Sequence, residues 1–282
     1  MKRVLLSVAA VLSVAVVVFV TAGCGVLGGP PTGVQVAVGD SDSTVQVVWN
    51  APTEGPADSY LLYFKPVNES TFSLVTETTA VSYTHNPEGR TGVYKVVAKF
   101  GSQTYDATDQ PTTVPVHGDT VTLYELNVDS SHCGYGWTRD SGKAGVFSMA
   151  KAVNTGSVDF YISDLDTGFS RPPYVIVSPD QADTIDAGAP GVVPSADWRT
   201  NGFAYPVADE QAPLPAYSSS PFNYFNYMDL DRVMPMLVPC YTAGEQDKHY
   251  ALIKVTNVNT QLGSVKLESW FQLVTGLRLI RH

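Results

Sequence analysis

Apolar and polar positions divide this chain into three kinds of stretch. The first is an apolar run from Val4 to Val20, preceded by Met1-Lys2-Arg3 and followed by Thr21-Ala22-Gly23-Cys24. The second is alternation with period two, the mark of a half-buried strand. Val45, Val47 and Trp49 share a face over Thr44 to Trp49, as do Tyr60, Leu62 and Phe64 over Ser59 to Lys65, and Tyr94, Val96, Ala98 and Phe100 over Val93 to Phe100. Turn-forming clusters at Asp40 to Ser43, Asn50 to Pro56 and Asn86 to Gly89 separate these strands, a spacing that predicts an all-β sandwich. The third kind is a long middle, Asp164 to Cys240, dense in Pro, Gly, Asp and aromatic residues and without helical period. Segments of that character read as binding loops.

Further strands frame the long middle. Thr120 to Val128 reads as one, and Gly156 to Ser163 as another with Val158, Phe160 and Ile162 on one side. Arg171 to Pro179 leaves room for a short strand. His249 to Val258 and Ser264 to Leu273 pattern as a closing hairpin joined by Asn259 to Gly263, with Val265, Leu267 and Phe271 opposite Lys266, Glu268 and Trp270. The expectation is all-β: an immunoglobulin-like sandwich over residues 34–117, then a larger antiparallel sandwich or barrel over residues 118–282 with a loop-rich insertion at 164–240. The first and last strands of the second unit are expected in one sheet.

The cationic start, apolar centre and small-residue exit of the opening segment are those of a secretory signal peptide. Ending at Cys24, it resembles a bacterial lipoprotein signal. That resemblance implies removal of residues 1–23, acyl chains such as palmitate on Cys24, and a Gly/Pro tether over 24–33 that lifts the rest off a bilayer. Gly25 stands where an Asp would resemble an inner-membrane retention signal, so the implied place is the outer membrane or cell surface. An uncleaved spanning helix, for which about 17 residues suffice, is the alternative. Both readings put the remainder outside the cytoplasm.

The first sandwich resembles a fibronectin type III module. The resemblance rests on Pro30 and Pro31 at its start, Trp49 closing the second strand, Tyr60-Leu61-Leu62-Tyr63-Phe64 on the third and Tyr94-Lys95-Val96-Val97-Ala98 on the sixth. It implies a spacer or adhesion role, with Trp49 and Tyr94 in the core. One position departs: Glu88 stands six residues before Tyr94, where the family has the Leu of its tyrosine corner.

Composition narrows the partners. Charged residues make up 16% of the 282, against about 25% in average soluble domains. The net charge of −10 argues against nucleic acid, which is bound through Lys/Arg clusters that this sequence lacks. Assigning Cys24 to lipid leaves Cys133 and Cys240, an even pair that in an oxidising compartment predicts a disulfide, the alternative being two buried free thiols.

Candidate chemistry is sparse. The chain has no Gly-x-Ser-x-Gly, His-Glu-x-x-His, phosphate-binding Gly loop or Cys-x-x-Cys. Asp164/Asp166 and Asp229/Asp231 are paired carboxylates, and the first pair resembles the start of a calcium loop without its downstream Glu. Solvated turn carboxylates are the simpler reading, and a glycosidase pair would have to face across a cleft. Phe222, Tyr224, Phe225 and Tyr227, interleaved with Asn223 and Asn226, offer flat π faces beside amides, suited to sugar rings; the alternative is packing onto the sheet. Trp198, in Asp197 to Gly202, joins these candidates. That motif with the closing hairpin also resembles surface lipoproteins that harvest haem between two histidines, for which His132 and His249 would serve. The expectation is a non-catalytic surface lipoprotein without a cofactor, anchored to a membrane and binding an extracellular glycan or protein, or serving as a structural part of a surface assembly. A carbohydrate-active enzyme or accessory subunit and a haem binder are the rivals.

Overall fold

The alternating stretches of the first third become strands whose apolar faces meet. A computed structural model describes residues 28–165, 174–182, 193, 196–217, 223–230, 233–242 and 248–282. The signal segment, Cys24, Asp166, Phe222 and Asp231 lie outside the described residues. Seven strands come first: β1 (Thr32–Val38), β2 (Val45–Asn50), β3 (Ser59–Pro66), β4 (Ser73–Thr78), β5 (Ser82–His85), β6 (Gly92–Phe100) and β7 (Gln103–Asp106). All pair antiparallel, in a sheet β1-β2-β5 and a sheet β4-β3-β6-β7. Three strands against four in this order make a fibronectin type III-like sandwich.

Its core follows from the period of two. Val45, Val47 and Trp49 from one sheet and Tyr60, Leu62, Phe64, Tyr94 and Val96 from the other are buried together. Trp49 meets Tyr60 edge-on at 5.5 Å between ring centroids, a favoured aromatic geometry. Glu88 adopts φ 56° and Gly89 φ 80° in the turn from β5 to β6. The corner there closes on a side chain, with the Tyr94 hydroxyl 2.9 Å from His85 Nδ1.

Ten strands follow: β8 (Val116–Tyr124), β9 (Gly134–Trp137), β10 (Ala144–Phe147), β11 (Phe160–Ser163), β12 (Val175–Val177), β13 (Asn201–Phe203), β14 (Tyr227–Asp229), β15 (Met236–Thr242), β16 (Tyr250–Asn259) and β17 (Ser264–Phe271). They form two antiparallel sheets, β10-β9-β11-β12-β14 and β13-β15-β16-β17-β8. The first and last strands, β8 and β17, do pair. β8 ends before the expected Val128 because Glu125 and Leu126 leave the ladder, donating their N–H groups to the carbonyls of Gly263 and Ile162 at 2.8 and 2.9 Å.

The sheet β10-β9-β11-β12-β14 is apolar on both faces. Ile162 and Ile176 enter the main core with Val238, Ile253, Leu267 and Phe271 from the facing sheet. Their neighbours Tyr161, Val175 and Val177 turn the other way, into a second cluster with Leu126, Met149, Val158 and Trp198. This corrects the expected disulfide. Cys240 lies in the main core and Cys133 in the second cluster, so the sheet stands between two buried free thiols.

Past β17 the chain returns to the first sandwich. Leu277 and Leu279 are buried in its core beside the strand residues named above. Arg278 donates its backbone N–H to the carbonyl of Asp42 at 2.6 Å, and the Thr91 hydroxyl donates to the carbonyl of Arg281. Burying each leucine contributes about 1.5–3 kcal/mol. The residues after β17 thus belong to both sandwiches, and the boundary at 117 falls inside β8.

Candidate ligand-binding surface

The segment between β13 and β14 crosses from one sheet of the second sandwich to the other. Phe203 and Phe225 exchange both backbone hydrogen bonds at 2.7 and 2.8 Å, which pins its two ends together. Between them, Tyr205 is 59% exposed, and Tyr217 is 42% exposed. Tyr227, at the start of β14, is also 42% exposed. All three belong to one stretch of chain, but Tyr227 pairs with Val177 and so shares the face of the second cluster, whereas Tyr217 lies against Tyr241 on the outer face of the other sheet.

The interior of the segment is fixed by a second group of tyrosines. Tyr217 stacks on Tyr241 at 4.1 Å between centroids and 14° between planes, so one face is supported. Tyr250 adjoins Tyr241 at 4.8 Å, and its hydroxyl accepts the Tyr217 N–H at 3.0 Å. Tyr224 closes the group and donates its hydroxyl to the carbonyl of Pro215 at 2.9 Å. Burial raises the pKa values of this group: the Tyr241 hydroxyl is pushed up to about 12, and that of Tyr224 rises too. Both stay neutral hydrogen-bonding groups at physiological pH.

The predicted aromatic run is therefore divided rather than presented as one platform. Tyr224 packs inward. Phe225 is half-buried against the main core and meets Tyr205 edge-on at 5.2 Å. Only Tyr227 of the described run is exposed. Asn223 and Asn226 are exposed, with their amides donating to the carbonyl of Ala216 at 3.3 Å and to Gln181 Oε1 at 2.8 Å. Tyr205, Tyr241 and Tyr250 were not legible as parts of a site. Tyr241 and Tyr250 sit on strands, where alternation gives their face but not their loop partners.

Trp198 is corrected from a ligand contact to a core residue: it is 5% exposed and donates Nε1 to the carbonyl of Val193 at 3.0 Å. Its neighbours Arg199 and Asn201 turn instead to the fully buried Asp159. The two histidines are not brought together. The backbone of His132 adjoins Tyr124, opposite Ser264, while His249 Nδ1 lies 2.8 Å from the Gln272 carbonyl at the other end of β17. The strand between them spans ~24 Å, too far for one iron. His132 is exposed and held by Asp129 at 2.8 Å; His249 is buried and stacked on Phe271. Asp164 follows β11 and Asp229 ends β14, with β12 between them. Among the described residues, no group of three or more His, Cys, Asp or Glu could hold a metal ion.

Solved structures that match the chain include a fibronectin type III-like protein from Clostridium thermocellum, at 21% identity over 29% of this chain and 86% of that one, TM-score 0.26. A two-domain fibronectin type III segment of chicken tenascin matches at 10% identity over 86% of this chain and 97% of that one, TM-score 0.25. The chicken interferon gamma receptor alpha chain matches at 11% identity over 87% and 98%, TM-score 0.25. No protein-family model and no curated relative matches the chain.

Proposed function

We propose that the chain is a non-catalytic, lipid-anchored surface protein that binds extracellular glycan through the segment joining β13 and β14. The observation that carries this reading is the exposed ring of Tyr217, held by its stack on Tyr241 and its N–H bond to Tyr250, with Tyr205 and Tyr227 also exposed on the same stretch of chain. A flat ring held still loses little conformational entropy on stacking, and the adjacent Asn223 and Asn226 add amide groups for sugar hydroxyls. The fibronectin type III-like sandwich is the spacer between the anchor at Cys24 and this surface. Adhesion or a place in a surface assembly follows from such binding.

The test is a glycan array probed with the soluble fragment Gly25 to His282, with the bound glycans then incubated with the protein and assayed for hydrolysis. Binding with no release of reducing ends is expected. Hydrolysis that disappears on Asp164→Asn or Asp229→Asn would establish the carbohydrate-active enzyme instead.

A further inference from the structure

A second concavity, beside β9, has a different chemistry. The carboxylate of Asp159 is fully buried just before β11. Its Oδ1 accepts Arg139 Nη2 at 2.6 Å, and its Oδ2 accepts Arg139 Nη1 and Arg199 Nη1, each at 3.1 Å, and the Trp137 N–H at 2.8 Å. One carboxylate thus accepts from two guanidiniums. The side chains of Arg139 and Arg199 are only 16% and 21% exposed. All the side-chain hydrogen bonds of Arg199 among the described residues run through Nη1. Its Nε and Nη2 remain as a pair of parallel donors.

Both arginines line an open cleft of ≈ 370 Å³ with Phe147, Thr138, Ser157 and Asp140. That volume falls in the range of small-ligand sites. Next to the cleft, Gly136 lets two backbone segments meet: a Cβ there would lie 1.9 Å from the Ser157 carbonyl oxygen.

We propose that this cleft binds the carboxylate of an acidic sugar. The fork of Arg199 Nε and Nη2 matches a carboxylate through two parallel hydrogen bonds. Phe147 supplies an apolar face for the ring, and the Thr138 and Ser157 hydroxyls meet the sugar hydroxyls. Asp140 favours a polyhydroxylated ring over a phosphate, because it accepts from hydroxyls and repels a multiply charged anion. The proposal deepens the glycan reading but places the acidic group at a site separate from the three exposed tyrosines.

Calorimetric titration of the Gly25 to His282 fragment with glucuronate and galacturonate oligosaccharides, their neutral counterparts and an oligoglutamate peptide tests it. Binding of a uronate is expected, weaker by about tenfold or more for the neutral sugar and for Arg199→Gln. Gly156→Trp supplies a second variant that leaves Asp159 untouched. Gly156 lines the cleft, and a Cβ there meets nothing within 4 Å, so an indole is expected to obstruct the cleft without disturbing the fold. Loss of uronate binding with an unchanged unfolding midpoint supports the proposal. Uronate binding that survives in Tyr205→Ala/Tyr217→Ala/Tyr227→Ala separates it from the tyrosine surface. It is overturned if no uronate binds at millimolar concentration, if neutral sugar or oligoglutamate binds as well, or if Gly156→Trp binds uronate normally.

Discussion

Arg278 grips Asp42 across 236 residues of sequence, donating Nε to Oδ2 at 2.8 Å and Nη2 to Oδ1 at 3.1 Å. The pair fastens the last residues of the chain to the turn between β1 and β2, and a third donor, Nη1, reaches the carbonyl of Leu214 at 2.5 Å. A two-point guanidinium–carboxylate contact has both strength and direction. Arg278→Met and Asp42→Asn are each expected to lower stability by about 1–2 kcal/mol. Urea unfolding of the double-mutant cycle checks this, with a coupling of about 1 kcal/mol expected and strict additivity counting against a direct pair.

Leu277 is the apolar half of the same fastening. It is fully buried in the core of the first sandwich although it follows the last strand of the second. Leu277→Ala is expected to cost about 2–5 kcal/mol, the range for emptying a leucine site in a core. The midpoint of denaturant unfolding measures it. A loss below about 0.5 kcal/mol would mean that the returning segment is not packed in that core.

The two thiols lie in separate apolar clusters, and burial pushes Cys133 up to about 12 and Cys240 well above its ordinary value. Thiolate is the reactive form, so both are expected to be inert to a thiol reagent in the folded fragment Gly25 to His282 and to react fully in denaturant. Mass spectrometry under non-reducing conditions, with alkylation before and after unfolding, reads this directly. A fragment that takes no label even when unfolded would reinstate the disulfide.

His85, bonded to Tyr94 at the corner of the first sandwich, is held below its ordinary value by burial and by the nearby Arg90 charge, with Glu88 opposing. The folded state therefore resists protonation more than the unfolded chain does. Its contribution to stability is complete above the unfolded value of 6.5 and is lost as pH falls from there toward the lower folded value. Unfolding midpoints between pH 8 and pH 5 are expected to fall on the acid side, and less so in His85→Phe. An identical acid slope in that variant would remove His85 as the cause.

The strands that could be read directly from the sequence are those with one buried face. β2, β3 and β6 alternate in burial over much of their length, so a period of two locates them within a residue or two. β11 and β12 could be read only roughly, and β9 not at all. They span three or four residues with every position buried, and without a polar face there is no period to detect. The candidate surface was legible as to its stretch of chain but not its members. Tyr224 and Tyr227 look alike in sequence, and only the support given by Tyr241 and Tyr250 turns one inward. Asp159 was invisible for another reason. Its partners Arg139 and Arg199 lie 20 and 40 residues away, a relation no local pattern encodes.

Binding by the exposed rings is tested most directly by comparing glycan binding of the Gly25 to His282 fragment with that of its Tyr205→Ala/Tyr217→Ala/Tyr227→Ala variant. Each of these rings is at least two-fifths exposed, so the variant is expected to keep its unfolding midpoint while losing affinity by about 100-fold or more for the glycan the parent retains. Equal affinity in the two proteins, or no glycan retained by the parent at all, would contradict the account.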